Sequence, residues 1–211
     1  MMGEPRQQLI ETARAMSTSG LGRGVSGNLS VRCEGGMLIT PSGKDYARMS
    51  PVDIVWMDLD GNCQGWSKPS SEWRFHAAIY RRYAQAGAVL HAHPVSCSAL
   101  ACLGKGIPPF HYMVAIAGGK DIRCADYATF GTPELSEHVI RALEGRKACL
   151  MAHHGMTCFE KDLSRALALA VEVEHLATVY GRLQAIGDVR LLPDSEMDVV
   201  LEKFGSYGVQ D

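Results

Sequence analysis

The sequence lacks a basic excess: its formal charge is −2 over 211 residues, which argues against a nucleic-acid-binding surface. It lacks a charge-free apolar run of membrane-spanning length, so no membrane partner is expected. Its opening "MMGEPRQQLIETARAM" carries no signal-peptide pattern, and a cytoplasmic location is the expectation. Cysteine pairs are missing too. The seven cysteines are scattered with no C-x-x-C spacing, which speaks against a disulfide framework and for reduced thiols serving as small apolar residues. There is no internal repeat, low-complexity tract or linker-like shift in composition. With 46% hydrophobic residues the chain can bury one sizeable core, so a single domain over residues 1–211 is expected.

What is present reads as alternating strands and helices. Helical spacing of Leu9, Ile10, Ala13 and Met16 predicts a helix from Pro5 to Ser19, ended by Gly20. Leu29–Cys33 and Met37–Thr40 flank an "EGG" turn and predict a hairpin. "DIVWMDLDGN" reads as a strand running into an Asp-Gly turn. Pro69 and two serines open an amphipathic helix reaching about Ala84. "FHYMVAIAGG" has no clear period. Helices follow at Glu134–Leu143 and, longest of all, at Leu163–Ile186, whose charged residues exclude a membrane span. "KACLMAHHG" is a further buried strand. The tail from about residue 202 is expected to be partly mobile. These elements predict an α/β layered domain with a central mixed, largely antiparallel sheet flanked by helices.

"AVLHAHPVS" carries the first chemical signal. An apolar run stopped by Pro94 reads as a buried strand. His91 and His93 then share one face, about 6 to 7 Å apart at Cα, a separation that suits two imidazoles on one metal ion. Two hydrogen-bonded polar side chains at a strand end are the commoner meaning of such a pair taken alone. "MAHHG" offers His153 and His154 after another strand, with Gly155 letting the chain turn. Glu72 falls in the expected first turn of a helix, where the dipole favours a carboxylate. Three loops of small residues, "SGN" (26–28), "PSG" (41–43) and "PSS" (69–71), offer N–H and hydroxyl groups suited to phosphate. Three histidines and a carboxylate would suit zinc, and spacing leaves His153 and His154 open.

Taken in order, "GNLSVR", "GMLITPSG", "PSSEWRFH", "HAH", "IPPFHYMVAIAGG", "YATFGTPELSEHV", "HHG" and "VLEKFGSYG" resemble the class II aldolase/adducin family over nearly the whole chain. The resemblance implies one Zn²⁺ per subunit, or another divalent ion, on His91, His93 and His154 with Glu72; the family pattern selects the histidine directly before the glycine. It implies that Asn28, Ser42, Gly43, Ser70 and Ser71 hold a substrate phosphate. It further implies that Tyr112 and Tyr207 reach a neighbouring subunit's site, in a homotetramer with active sites near its interfaces. The implied reaction is reversible cleavage of a ketose 1-phosphate of the L-fuculose 1-phosphate type to dihydroxyacetone phosphate and an aldehyde. Glu72 would leave the metal and protonate the enediolate carbon, and Tyr112 would exchange the proton on the aldehyde oxygen.

Within the same family, 5-deoxyribulose 1-phosphate or its methylthio analogue is the alternative substrate, and a dehydratase is a further relative. Epimerase relatives carry an acid in the stretch matching residues 108–119, which here has none. Non-catalytic adducin-like heads lose the metal ligands, and all four are kept here. Ala92 and Pro94 depart from the family pattern around its metal histidines, with Ala92 expected to face away from the metal. His76, His138 and His175 read as structural helix residues. His111 beside Tyr112 is more open, and Phe130 could line the aldehyde end of the pocket or simply pack.

Overall fold

The computed structural model describes residues 3–22 and 25–206. Eight strands form one sheet in the order β4-β3-β2-β1-β5-β8-β7-β6. They are β1 (Asn28–Cys33), β2 (Gly36–Ile39), β3 (Val55–Met57), β4 (Cys63–Gln64), β5 (Ala88–Ala92), β6 (Cys124–Ala125), β7 (Ala148–Met151) and β8 (Gly155–Glu160). Every pairing is antiparallel except that of β6 with β7. The mixed, largely antiparallel sheet expected from sequence is therefore present.

Helices α1 (Gly3–Thr18), α3 (Val95–Cys102), α5 (Leu163–Ile186) and α6 (Asp194–Ser206) cover one face; α2 (Trp73–Arg82) and α4 (Pro133–Ala142) cover the other. Strand alternation feeds both layers. Along β5, Ala88, Leu90 and Ala92 enter the core under α1, α3 and α5, while Val89 enters the core under α2 and α4. His91 shares the face of Val89, so the strand delivers it, wholly buried, to the α2 side. Ala92 lies in the opposite core, away from His91, as its place in the strand led us to expect.

Three local expectations change. Residues 95–102 form a helix that the sequence did not announce, capped at its start by Pro94. This helix has no polar side to give it a period, because α5 covers it and Glu174 accepts from the Ser96 and Cys97 amides at 2.9 and 2.8 Å. Gly155 begins β8, so His153 and His154 lie in the β7–β8 connection. Helix α2 begins only at Trp73, which makes Glu72 its N-cap residue and not part of its first turn. The cause is the pairing of Pro69 with Pro41, which holds residues 69–71 in a loop beside residues 41–43. Of the tail, residues 202–206 continue α6, and residues 207–211 lie outside the described residues.

Candidate metal and substrate site

Register builds the site. Asn28 on β1 pairs with His91 on β5, and His91 pairs with Thr157 on β8, so these side chains share the α2 face. His93 stands just past the end of β5, and His154 reaches in from the β7–β8 connection. Gly155 permits this close approach: a Cβ there would lie 2.4 Å from the Ala92 carbonyl oxygen and 2.7 Å from the His93 ring. Gly27 is equally constrained, with φ +86° and a hypothetical Cβ 2.6 Å from the His91 carbonyl oxygen.

One ligand atom from each of Glu72, His91, His93 and His154 falls within 4.8 Å of the others. His91 Nε2 lies 2.8 Å from His93 Nε2 and 3.2 Å from Glu72 Oε2, and His154 Nε2 lies 3.2 Å from Glu72 Oε1. Four ligands of a tetrahedral ion with bonds of about 2.0–2.1 Å sit roughly 3.3 Å apart, close to these spacings. His91 Nδ1 donates to the Met156 carbonyl at 2.9 Å, which fixes the tautomer and leaves Nε2 with its lone pair. Glu72 Oε1 is buried with no hydrogen bond, an orphan that a cation would satisfy. The residues fit a divalent metal of the zinc kind.

Burial, reinforced by the nearby His91, pushes His93 and His154 down to about 4, which keeps them neutral and able to ligate. Burial likewise pushes His76 down to about 3. Burial opposes ionisation of Glu72. The His91 and His154 imidazoles and the Asn28 amide outweigh it and hold the carboxyl well below the usual range. A consequence follows for the metal-free protein. Between about pH 6.5 and pH 4 the unfolded chain binds protons on these histidines and the folded one does not, so stability falls as pH drops. The lowered Glu72 acts in the same direction, beginning below its unfolded value. Denaturant midpoints at pH 7.5 and pH 5 check this, and equal midpoints would rule it out.

A cavity of about 350 Å³ opens on the cluster, lined by Ser71, Glu72, His93, Tyr127, Ala128, Phe130, His153 and His154. His153, with φ 54°, turns its ring edge-on to Tyr127 at 5.9 Å between centroids, so the histidine in the ligand group is His154. Sequence reading named Phe130 but missed Tyr127, for which "YATFG" gave only a turn signal. Ser42, Gly43, Ser70 and Ser71 meet where Pro41 bridges Pro69. Ser70 Oγ accepts from the Glu72 amide at 3.3 Å, and Ser71 and Ser42 are exposed. Lys44 is ion-paired to Asp53, and Arg74 donates to the Gly131 carbonyl. Asn28 is as buried as Ser70, 4% against 5% exposed, and its amide Nδ2 donates to Glu72 Oε2 at 2.9 Å.

Tyr112 does not line this cavity. It begins the 3₁₀ segment Tyr112–Ala117 and is 51% exposed beside Phe110, Leu192, Val200 and Phe204. Tyr207 lies outside the described residues. All seven cysteines are free thiols, and no helix among the described residues is long and apolar enough to cross a membrane.

Residues 7–180 match the family model of the class II aldolase and adducin N-terminal domain, and the chain belongs to that family. It is 55% identical over 203 residues to the 5-methylthioribulose-1-phosphate/5-deoxyribulose-1-phosphate aldolase of Rhodospirillum rubrum, covering 96% of this chain and 92% of that one. It is 50% identical over 205 residues to the L-fuculose phosphate aldolase of Escherichia coli strain K12, covering 97% and 95%. A solved L-fuculose 1-phosphate aldolase superposes with TM-score 0.93 at 40% identity, covering 96% of both chains. The chain is thus an enzyme, a lyase of the aldolase type.

Proposed function

We propose that this enzyme uses one zinc ion per subunit to cleave a ketose 1-phosphate reversibly into dihydroxyacetone phosphate and an aldehyde. The convergence of Glu72, His91, His93 and His154 carries the reading, because it places three imidazoles and a carboxylate beside two loops of small residues. A divalent ion bound there supplies Lewis-acid stabilisation for the negative charge that develops on the substrate's oxygens.

The remaining work falls to side chains. The Ser42, Ser70 and Ser71 hydroxyls and the Gly43 and Ser71 N–H groups, joined by Asn28, hold the phosphate, since Lys44 and Arg74 are already engaged. In the condensation direction the ionised Glu72 takes a proton from C3 of dihydroxyacetone phosphate, C3 bonds to the aldehyde carbon, and the aldehyde oxygen takes the Tyr112 proton. Solvent carries the proton from Glu72 back to Tyr112, and cleavage is the same path reversed. Tyr112 lines a different cavity from the one at its own subunit's candidate metal ligands, which supports delivery into a neighbour's site and a homotetramer; Tyr207 would join it there. The reaction is cytoplasmic in this reading.

Tyr127, Ala128 and Phe130 make an aromatic and apolar wall suited to a substrate whose far end has lost a hydroxyl. L-fuculose 1-phosphate, 5-deoxyribulose 1-phosphate and 5-(methylthio)ribulose 1-phosphate all meet that condition. The test is release of dihydroxyacetone phosphate from each of these sugars by the zinc-loaded enzyme, with and without chelator. Chelator-sensitive cleavage of at least one supports the reading. Failure on all three overturns it.

A further inference from the structure

His76 is used by none of the chemistry above, yet it is fully buried between β1 and the metal cluster. Its two ring nitrogens are both engaged. Nε2 lies 2.6 Å from Asn28 Oδ1, and Nδ1 lies 2.7 Å from Ser30 Oγ, which lies 2.9 Å from the Tyr80 hydroxyl. With the Asn28–Glu72 bond of 2.9 Å, five side chains form one continuous buried line ending on a metal-site carboxylate.

The donors in this line have only one consistent order. An ionised Glu72 can only accept, so the amide nitrogen of Asn28 must face it and Oδ1 must face His76. His76 Nε2 therefore carries the proton and Nδ1 accepts from the Ser30 hydroxyl, whose oxygen accepts in turn from Tyr80. Every hydrogen points toward the carboxylate. Helix and strand geometry makes the alignment possible. Glu72, His76 and Tyr80 recur every four residues, about 6 Å along a helix, while Asn28 and Ser30 recur every two, about 6.6 Å along a strand.

We infer that His76 is a positioning residue that locks the Asn28 amide in one orientation and, through it, holds the Glu72 carboxylate toward the metal-ligand group. Were the amide to turn over, its oxygen would face the carboxylate and repel it. The inference rests on the proposed reading of Glu72 as metal ligand and proton carrier, and extends it to a residue that touches neither metal nor substrate.

The experiment compares His76→Phe, which removes both ring nitrogens, with His76→Gln, which can keep an N–H donor near the place of Nε2. Zinc affinity is measured by competition with a chromogenic chelator, which needs no substrate, and kcat and KM are measured for cleavage. His76→Phe should weaken zinc binding and lower kcat by about tenfold each, the lower end expected for loss of an outer partner, with KM little changed. His76→Gln should recover most of both. In an Asn28→Ala background His76→Phe should add nothing, because its effect passes through that amide. If His76→Phe does not fold, Ser30→Ala, which removes the donor fixing the tautomer, should lower zinc affinity in the same direction. Unchanged zinc affinity in the folded variant, or equal losses in Phe and Gln variants that multiply with Asn28→Ala, overturns the inference. A wild type that binds zinc but cleaves no ketose 1-phosphate overturns the proposed reaction instead and leaves the zinc comparison to judge His76.

Discussion

Substituting His93 by alanine is expected to remove zinc and cleavage together while leaving the fold in place. His93 stands beyond the end of β5 and belongs to neither hydrophobic core, so its loss opens no packed interior. Its Nε2 is 2.8 Å from that of His91, and removing it leaves a site of two imidazoles and a carboxylate. Such a site should bind more than about a hundredfold more weakly, since losing even an outer partner of a ligand costs 10- to 100-fold. Metal content after dialysis, thermal unfolding and cleavage rate are the three readouts. Stoichiometric zinc with normal cleavage in this variant would remove His93 from the ligand set.

The elements most legible in the sequence are those whose periodicity and ends agree. The helix expected at Leu163–Ile186 is found with those limits, Asp162 capping it and Gly187 following it. The β1–β2 hairpin and the strand carrying His91 were equally readable, because alternation and turn residues coincide there. Helix α3 was not, because a short helix under α5 shows no amphipathic contrast. Strand β8 was missed because its opening Gly155 reads as the end of the preceding strand.

At the site, the types of the ligands were legible but their surroundings were not. His-x-His and His-His announce imidazoles, and only the connection after β7 decides which of His153 and His154 turns inward. The line from Tyr80 to Glu72 was out of reach for a more basic reason. "NLS" and "EWRFHAAIY" each look ordinary. Their meaning depends on the long-range placement of α2 across β1, with Ser30 and His76 separated by 46 positions in the sequence. That is also why His76 reads from sequence as a mere helix residue, and why Asn28 reads as a loop ligand for phosphate without its bond to Glu72.

Glu72 and Tyr112 are expected to part company when they are replaced separately. Glu72 sits in the candidate metal-ligand group, where its carboxylate is ionised and can take a proton from carbon. Tyr112 lines a different cavity, and its proposed partner is the aldehyde oxygen. Exchange of the carbon-bound proton of dihydroxyacetone phosphate with solvent requires no aldehyde. Glu72→Gln should therefore lose both exchange and cleavage, by about 10²- to 10⁴-fold, the range for removing an acid/base catalyst. Tyr112→Phe should lose cleavage on a similar scale while exchange survives. Because that tyrosine is proposed to act in a neighbour's site, variants that remain monomeric should resemble Tyr112→Phe and keep exchange. The measurement is deuterium uptake from D₂O into dihydroxyacetone phosphate, run beside cleavage, with zinc content confirmed for each variant. Equal loss of both activities in Glu72→Gln and Tyr112→Phe would defeat the division of labour. The phenol would then have to be assigned to forming the site as a whole, and the proton at carbon could no longer be credited to Glu72 alone.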